Sequence, residues 1–426
     1  NHFTWINKSL APLYLQNSEN FVGWLENRCI DTHRPNSRLL RRALRLEALE
    51  DSDLALEVNA ATITDTYWVK DADSPLKWCD VQFKKAEYSS LALIGGYDNF
   101  QKAATSSNKK TQELTNSGSF EKCWRVRDGS WWLYKQATSN QLFSELFAYK
   151  LGQELGFNMA EYRAGSRYIK QGIRYICSKD FTEGTKYNFE PIVAITGTDV
   201  TDYIKTYSKL KQLDSSIASN YVSILFLDTL LYNPDRHCYN FGLLTDPDTG
   251  EILRLAPNFD NNMALISDNY PSSCIRKNDI LIDDFNALLD SGAVWNGYSD
   301  TYTLPIITDS LIRKIIRDIG IKVKENFIAD FIMTSYNLIG WNKKMTIEDI
   351  VRTVRGKDYI PLLDSSKNPV DQEAIKNITN DVFYVSPCLK TLYQTPSPRI
   401  MIFSAAGATG KSALAHYLAH TFKCPY

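Results

Sequence analysis

Asn233-Pro234-Asp235-Arg236-His237-Cys238-Tyr239-Asn240-Phe241-Gly242, followed by Ala256-Pro257-Asn258-Phe259-Asp260-Asn261-Asn262, is the stretch that decides how this 426-residue chain is read. Asp235 and Asn240 stand five residues apart, and Asp260 follows 20 residues after Asn240, beyond a turn expected to return the chain to the same cleft. Phosphoryl transfer from ATP needs a carboxylate to orient and deprotonate the attacking hydroxyl, oxygen ligands for Mg²⁺ and cations on the phosphates. Asp235 fits the first need, in the D-x-x-x-x-N spacing of a phosphotransferase loop. Asn240 and Asp260 fit the second, since Mg²⁺ prefers hard oxygen ligands.

Working upstream, Cys123 to Arg127 and Trp131 to Lys135 flank Asp128-Gly129, a dipeptide suited to the positive φ angles of a tight hairpin turn. Lys135 ends the second strand and can present a compact ammonium to phosphates. A helix is expected from a Thr138 or Ser139 cap through Phe143, Leu146, Phe147 and Leu151 to Gly156. Glu145 shares a face of that helix with Leu142 and Tyr149, where an unpaired carboxylate is costly. A Lys135–Glu145 ion pair would satisfy it and fix the lysine. Asn116-Ser117-Gly118-Ser119, in a polar stretch spanning 101–119, is placed to offer backbone N–H groups to phosphates.

A second hairpin is expected from Tyr162 to Tyr168, a Gln171-Gly172 turn, and Ile173 to Cys177. Beyond Cys177 the pattern turns helical, at Thr198 to Leu213, at Ile217 to Tyr232 and near 308–319, 323–339 and 346–355. Two short strands bracket the Asp246-Pro247-Asp248-Thr249-Gly250 turn. The order is thus β-rich with one helix, then α-rich. Asn36 is a candidate cap for a helix carrying Arg38, Arg41, Arg42 and Arg45, a basic cluster that reads either as a solvated face balanced by Glu47, Glu50, Asp51 and Asp53 or as a partner-docking surface.

Composition bounds the classes of function. Lys plus Arg number 48 against 49 Asp plus Glu, so the chain as a whole has no nucleic-acid footprint. With 24 Tyr, 19 Phe and 9 Trp, the chain has ample material for cores, which excludes disorder throughout. Its eight cysteines form no CxxC pair, which argues against zinc knuckles and dithiol redox sites and for a reduced, cytoplasmic setting. The best apolar run, Tyr221 to Tyr232, is interrupted by Asp228, so no membrane span is expected.

The N-x-D-R-H-x-x-N-F-G stretch, the downstream P-x-F-D-N, and Ser144-Glu145-Leu146-Phe147-Ala148-Tyr149-Lys150-Leu151-Gly152 together resemble the HipA-like serine/threonine kinase family, nearest its CtkA-type branch. Asp65-Thr66-Tyr67-Trp68-Val69-Lys70 with Trp78-Cys79-Asp80-Val81 resembles that branch's leader region, and the likeness covers roughly residues 30–355. The resemblance implies a two-lobed kinase in which Asp235 is the base, Asn240 and Asp260 hold Mg²⁺, and Lys135 is the ATP lysine held by Glu145. It places the adenine hinge at Lys179-Asp180-Phe181, and it makes Ser117 and Ser119 candidates for autophosphorylation on the phosphate loop. His237 has two readings, a cation near the γ-phosphate or a hydrogen bonder that fixes the loop. Asn261-Asn262 stands where a glycine often follows the metal-binding aspartate.

Near the C-terminus, Arg399 to Ser404 reads as a buried strand and Ala413 to Phe422 as a helix. Between them Ala405-Ala406-Gly407-Ala408-Thr409-Gly410-Lys411-Ser412 matches a P-loop with Ala in place of its first Gly. Gly407, Gly410, Lys411 and Ser412 are the candidate phosphate and Mg²⁺ contacts of this second site. Too few residues follow for a nucleotide-enclosing sheet, so the expectation is the incomplete start of an NTPase domain in a protein that continues. The missing initiating Met adds the expectation of a cut at the other end. His416 and His420, four apart without a third ligand, read as ordinary helix surface.

The expected architecture is α+β: a leader over 1–88, a β-rich kinase N-lobe over 89–178, an α-helical C-lobe over 179–363, a linker over 364–398 and the truncated P-loop βα unit over 399–426. The expected function is a Ser/Thr protein kinase using ATP and Mg²⁺ on a protein substrate, of a toxin- or defence-type regulator with a possible antitoxin or regulatory partner. Two other readings stay open: a non-catalytic ATP sensor controlling the C-terminal NTPase, and a kinase for a small-molecule or nucleic-acid acceptor.

Overall fold

Asp128 and Gly129 both take positive φ, 52° and 74°, and the hairpin expected around them forms. Strands β1 (Lys122–Arg127) and β2 (Ser130–Ala137) pair antiparallel, with Arg127 opposite Ser130. The computed structural model describes residues 6–29, 37, 41, 49–83, 115, 122–165, 174–198, 200–300 and 304–340. Almost all of these belong to one compact unit, 1–295 with 305–341; a second comprises 296–304 and 342–426. The segments 116–119, 346–355, 364–398 and 399–426 lie outside the described residues, and with them Ser117, Gly118, Ser119, Gly407, Gly410, Lys411 and Ser412.

Among its described residues the leader contributes the short α-helices α1 (Leu13–Ser18), α2 (Phe21–Glu26), α3 (Asp51–Leu56) and α4 (Trp78–Val81). They are too short to persist alone and depend on tertiary ties. The main one is the buried Arg28, which pairs with Asp65 (2.8 Å from Nη1 to Oδ2 and from Nη2 to Oδ1) and donates to the Ala60 carbonyl. From the basic cluster, Arg41 pairs with Asp51, which supports the balanced reading at that residue.

After β2 comes α5 (Ser139–Glu154), closed by a reciprocal cap in which Thr138 Oγ1 accepts from Gln141 N and Gln141 Oε1 accepts from Thr138 N. Then β3 (Tyr162–Ala164) and β4 (Arg174–Lys179) complete an antiparallel sheet in the order β1-β2-β4-β3. The second hairpin pairs as expected, its Gln171-Gly172 turn lying outside the described residues. A second antiparallel sheet, in the order β5-β6-β7, comprises β5 (Asn188–Pro191), β6 (Gly242–Thr245) and β7 (Ile252–Leu255).

The helical half departs from expectation in its boundaries. The helix expected from Thr198 starts only at Tyr203, as α7 (Tyr203–Leu213), and a short α6 (Val193–Thr196), ended at Gly197 with φ 73°, precedes it without having been expected. Asp202 accounts for the later start, because its side chain accepts from Lys205 N as an N-cap. Asp214 likewise starts α8 (Ser215–Leu231) two residues earlier than expected. This helix is buried on nearly every side, its Phe226 packing against Phe285 and Trp295. Each such large apolar side chain stabilises the fold by roughly 1.5–3 kcal/mol.

Of three further helices, α9 (Ile280–Asp290) and α11 (Glu325–Leu338) pack against α8, whereas α10 (Asp309–Ile319) packs against α5 and α11. Neither β5 nor α9 is among the sequence-based expectations, although Asp279 ahead of Ile280 is an ordinary cap signal. The described chain is therefore a mixed α and β structure with two antiparallel sheets. Among the described residues no helix is long and apolar enough to cross a membrane.

Candidate active site

Asp228 explains itself once the site is assembled. It lies in the apolar α8, where an unpaired carboxylate would cost several kcal/mol, and it is met by the equally buried Arg236. Nε donates to Oδ2 at 2.8 Å and Nη2 to Oδ1 at 2.9 Å. Burial works against the Arg236 charge, yet Asp228 more than restores it and its pKa is raised.

The rest of the guanidinium ties two loops together. Nη1 donates to the carbonyls of Asn240 (2.6 Å) and Phe259 (2.7 Å), and Nη2 to Oδ1 of Asn258 (3.1 Å) and Asn261 (2.9 Å). One side chain thus fixes the Asp235–Asn240 loop against the 258–261 loop.

Within the first loop, Asn240 Nδ2 donates to the Asp235 carbonyl at 2.8 Å. That commits the donor end of the amide and leaves Oδ1 as the atom with capacity for a cation. The His237 N–H also donates to the Asp235 carbonyl, at 2.9 Å. His237 itself is exposed, and its Nδ1 accepts from the Tyr239 N–H at 3.2 Å. Of its two readings, the loop-fixing one has this contact behind it. Burial raises the Asp235 carboxyl pKa; His237 and Lys135 oppose the rise and Asp260 adds to it.

In the second loop, Asp260 takes a positive φ of 60°, tolerable for Asp but unfavourable for most residues. Its N–H donates to the Tyr162 hydroxyl at 2.9 Å, so a β3 side chain holds this turn. Lys135 reaches across from β2, Nζ lying 2.5 Å from Asp260 Oδ1 and donating to Asn262 Oδ1 at 3.0 Å. Burial of Asp260 opposes its ionisation, but the ammonium outweighs it and holds the carboxyl below its usual range.

Glu145, only 1% exposed, differs from expectation in its direct partner. Its Oε1 accepts from the Asn261 N–H (2.9 Å) and Nδ2 (3.3 Å), while Lys135 pairs with Asp260. The reason is the turn at Asp260, which presents the next backbone N–H to Glu145 and the aspartate to the lysine. Burial pushes Glu145 up to about 7, with Asp260 adding to the rise and Lys135 opposing it.

The expected hinge is partly committed. Lys179 N–H donates to the Glu161 carbonyl and Asp180 N–H to the Trp131 carbonyl, both at 2.9 Å. The buried Asp180 carboxylate caps the following turn, accepting from Thr182 N (2.8 Å), Thr182 Oγ1 (2.6 Å) and Gly184 N (2.8 Å). Phe181 packs against Phe189 and Phe259, an apolar platform beside the Asp260 loop.

The donor set suits Mg²⁺, which takes one or two protein oxygens and completes its shell with water and phosphate. Asp260 and Asn240 Oδ1 are hard oxygen donors, and among the described residues no group of three or more His, Cys, Asp or Glu forms an all-protein cage. Sequence reasoning missed Arg236, Asp228, Tyr162 and the role of Asn261-Asn262. The one advance signal was Asp228 itself, a charge inside a helix otherwise fit for a core.

No family model matches the chain, and no curated protein matches it in sequence. Solved structures do. The chain is similar to the crystal structure of a Helicobacter pylori proinflammatory kinase, CtkA, at 20% identity and a TM-score of 0.40, covering 51% of this chain and 91% of that one. It is also similar to the HipA, HipB and operator DNA complex of the Shewanella oneidensis MR-1 toxin–antitoxin system, at 11% identity and a TM-score of 0.41, covering 75% of this chain and 84% of that one.

Proposed function

We propose that the chain is an ATP-dependent Ser/Thr protein kinase of HipA-like, two-lobed type, with the nucleotide held beside β2, β4 and α5. The observation that supports this most is the gathering of Asp235, Asn240, Lys135 and Asp260 around one buried guanidinium, Arg236. In this reading Asp235 takes the proton of the acceptor hydroxyl as its oxygen bonds to the γ-phosphorus and the bond to the β-phosphate oxygen breaks, releasing ADP. Its raised pKa suits a group that must accept a proton. Lys135 steadies the phosphates, and Asn240 with Asp260 would hold Mg²⁺, which supplies charge neutralisation at the phosphate oxygens.

Ser117 and Ser119 are the proposed sites of autophosphorylation, and Phe181, Phe189 and Phe259 the proposed apolar contacts of the adenine. The test is phosphosite mass spectrometry after incubation with Mg²⁺ and ATP, with Asp235→Asn alongside. Phosphate on the unaltered chain, reduced about 10²–10⁴-fold in the variant, is the expected result. ATP binding with no transfer to the chain or to any supplied protein would instead favour the sensor reading.

A further inference from the structure

The leader is fastened to β5, which pairs with β6, the strand that follows the base loop. Glu190 of β5 accepts from the Leu13 N–H at 3.1 Å, at the start of α1, where Pro12 provides no side-chain cap. Asn188 Oδ1 accepts from Thr66 N (2.8 Å) and Oγ1 (3.0 Å), and the Phe189 N–H donates to the Thr64 carbonyl at 2.9 Å. Farther along, Asn17 Nδ2 donates to the Ala194 carbonyl at 2.8 Å.

From β5 the connection continues into the loop. The Ile192 N–H donates to the Phe241 carbonyl and the Val193 N–H to the Cys238 carbonyl, at 3.0 and 3.2 Å. One contact bypasses the strand: the Tyr239 hydroxyl donates to Asn27 Oδ1 at 2.9 Å, across 212 residues of sequence. Tyr239 is half-buried, and its own N–H is the donor that holds His237. Burial raises its phenol to about 12, so it remains a donor over the working pH range.

We infer that the leader is a positioning device for the base loop: Asn27, on a segment anchored to β5, holds Tyr239, and Tyr239 holds the 235–240 turn in its working arrangement. Neither residue touches the reacting atoms. Both act through His237 N–H, Asn240 and the Asp235 carbonyl, so the leader governs turnover and leaves nucleotide binding alone. This role rests on the kinase reading, but its physical content, restraint of the loop, can be read without turnover.

Two measurements on the full chain test it, using Tyr239→Phe, which removes one oxygen, Asn27→Ala, and the double variant. In hydrogen exchange, the His237 and Asn240 amides should exchange about three- to tenfold faster in either single variant, the size of one neutral hydrogen bond, with α8 amides unchanged. In phosphoryl transfer, kcat should fall about three- to tenfold with KM for ATP unchanged, and the double variant should lose no more than either single one. Unchanged loop exchange, a uniform rise throughout the chain, or losses that add in the double variant would overturn the inference. Absence of transfer by the unaltered chain, with the loop exchange as expected, would overturn the kinase reading and leave the strap standing.

Discussion

Arg236 and Asp228 meet in a bidentate, buried pair that joins the core helix α8 to the loop carrying Asp235. The pair settles a conflict between packing and chemistry. An apolar helix buried on nearly every side is a rigid support, but it offers no polar handle to an adjoining loop. One aspartate supplies the handle, and the arginine spends its remaining donors on Asn240, Phe259, Asn258 and Asn261.

Breaking that pair should be severe. Asp228→Ala strands a buried guanidinium and is expected to destabilise the fold by about 3–5 kcal/mol. Arg236→Lys keeps the charge but cannot span both carboxylate oxygens and four further acceptors. Its expected outcome is milder loss of stability in denaturant titration with loss of most ATP turnover; full activity in Arg236→Lys would show that the loops need no such hub.

Asn262 separates function from stability. Its Oδ1 accepts from Lys135, but its buried Nδ2 has no hydrogen-bond partner among the described residues. Asn262→Ala removes an unsatisfied donor together with a useful acceptor, so stability should change by less than about 1 kcal/mol. The lysine, without its Asn262 acceptor, should bind phosphates less well, with KM for ATP rising about three- to tenfold. A large drop in melting temperature with unchanged KM would contradict this.

What could be read from the sequence divides along physical lines. The hairpin at Asp128-Gly129 and the Thr138 cap are local signals, and both form as expected. The expected start of α7 at Thr198 differs from the observed one at Tyr203, because the Asp202 side chain caps the helix there. The candidate site was legible in its charged members, Asp235, Lys135 and Asp260, which the fold brings together as their spacing suggested. Its wiring was not: the choice of Asp260 over Glu145 as partner of Lys135 depends on a positive φ at a non-glycine residue. Tyr162 and Arg236 act over long separations in sequence that no local pattern records.

Gly242, last in the N-x-D-R-H-x-x-N-F-G stretch, has a steric reason to be there. A Cβ at this position would lie 2.2 Å from the Glu190 carbonyl oxygen and 2.9 Å from the Pro191 Cα, both backbone atoms that cannot swing aside. Gly242→Ala should therefore push β5 from β6, at a cost of about 1–3 kcal/mol or more. Because β5 carries the leader contacts, the Tyr239–Asn27 bond should loosen too. Unchanged unfolding midpoint in this variant would mean the strands can separate without penalty.

Glu190 gives the fold a predictable response to pH. Burial raises its carboxyl from the ordinary 4.5 to about 7, eased by donors from Tyr67 and Leu13, with Asp65 opposing and Arg28 assisting ionisation. Between those values the folded state binds a proton that the unfolded chain has released, so stability falls as pH rises through the interval. At about 1.4 kcal/mol per unit the loss attributable to Glu190 is of order 3 kcal/mol at most. Glu145, also raised to about 7, adds in the same direction. Glu190→Gln keeps an oxygen for the Leu13 N–H while removing the charge. Urea unfolding at pH 5 and pH 7.5 should show a marked loss of stability in the unaltered chain and a clearly smaller one in Glu190→Gln. Equal losses in the two proteins would mean that Glu190 ionises in place without strain, and that the leader is docked as firmly at neutral pH as below it.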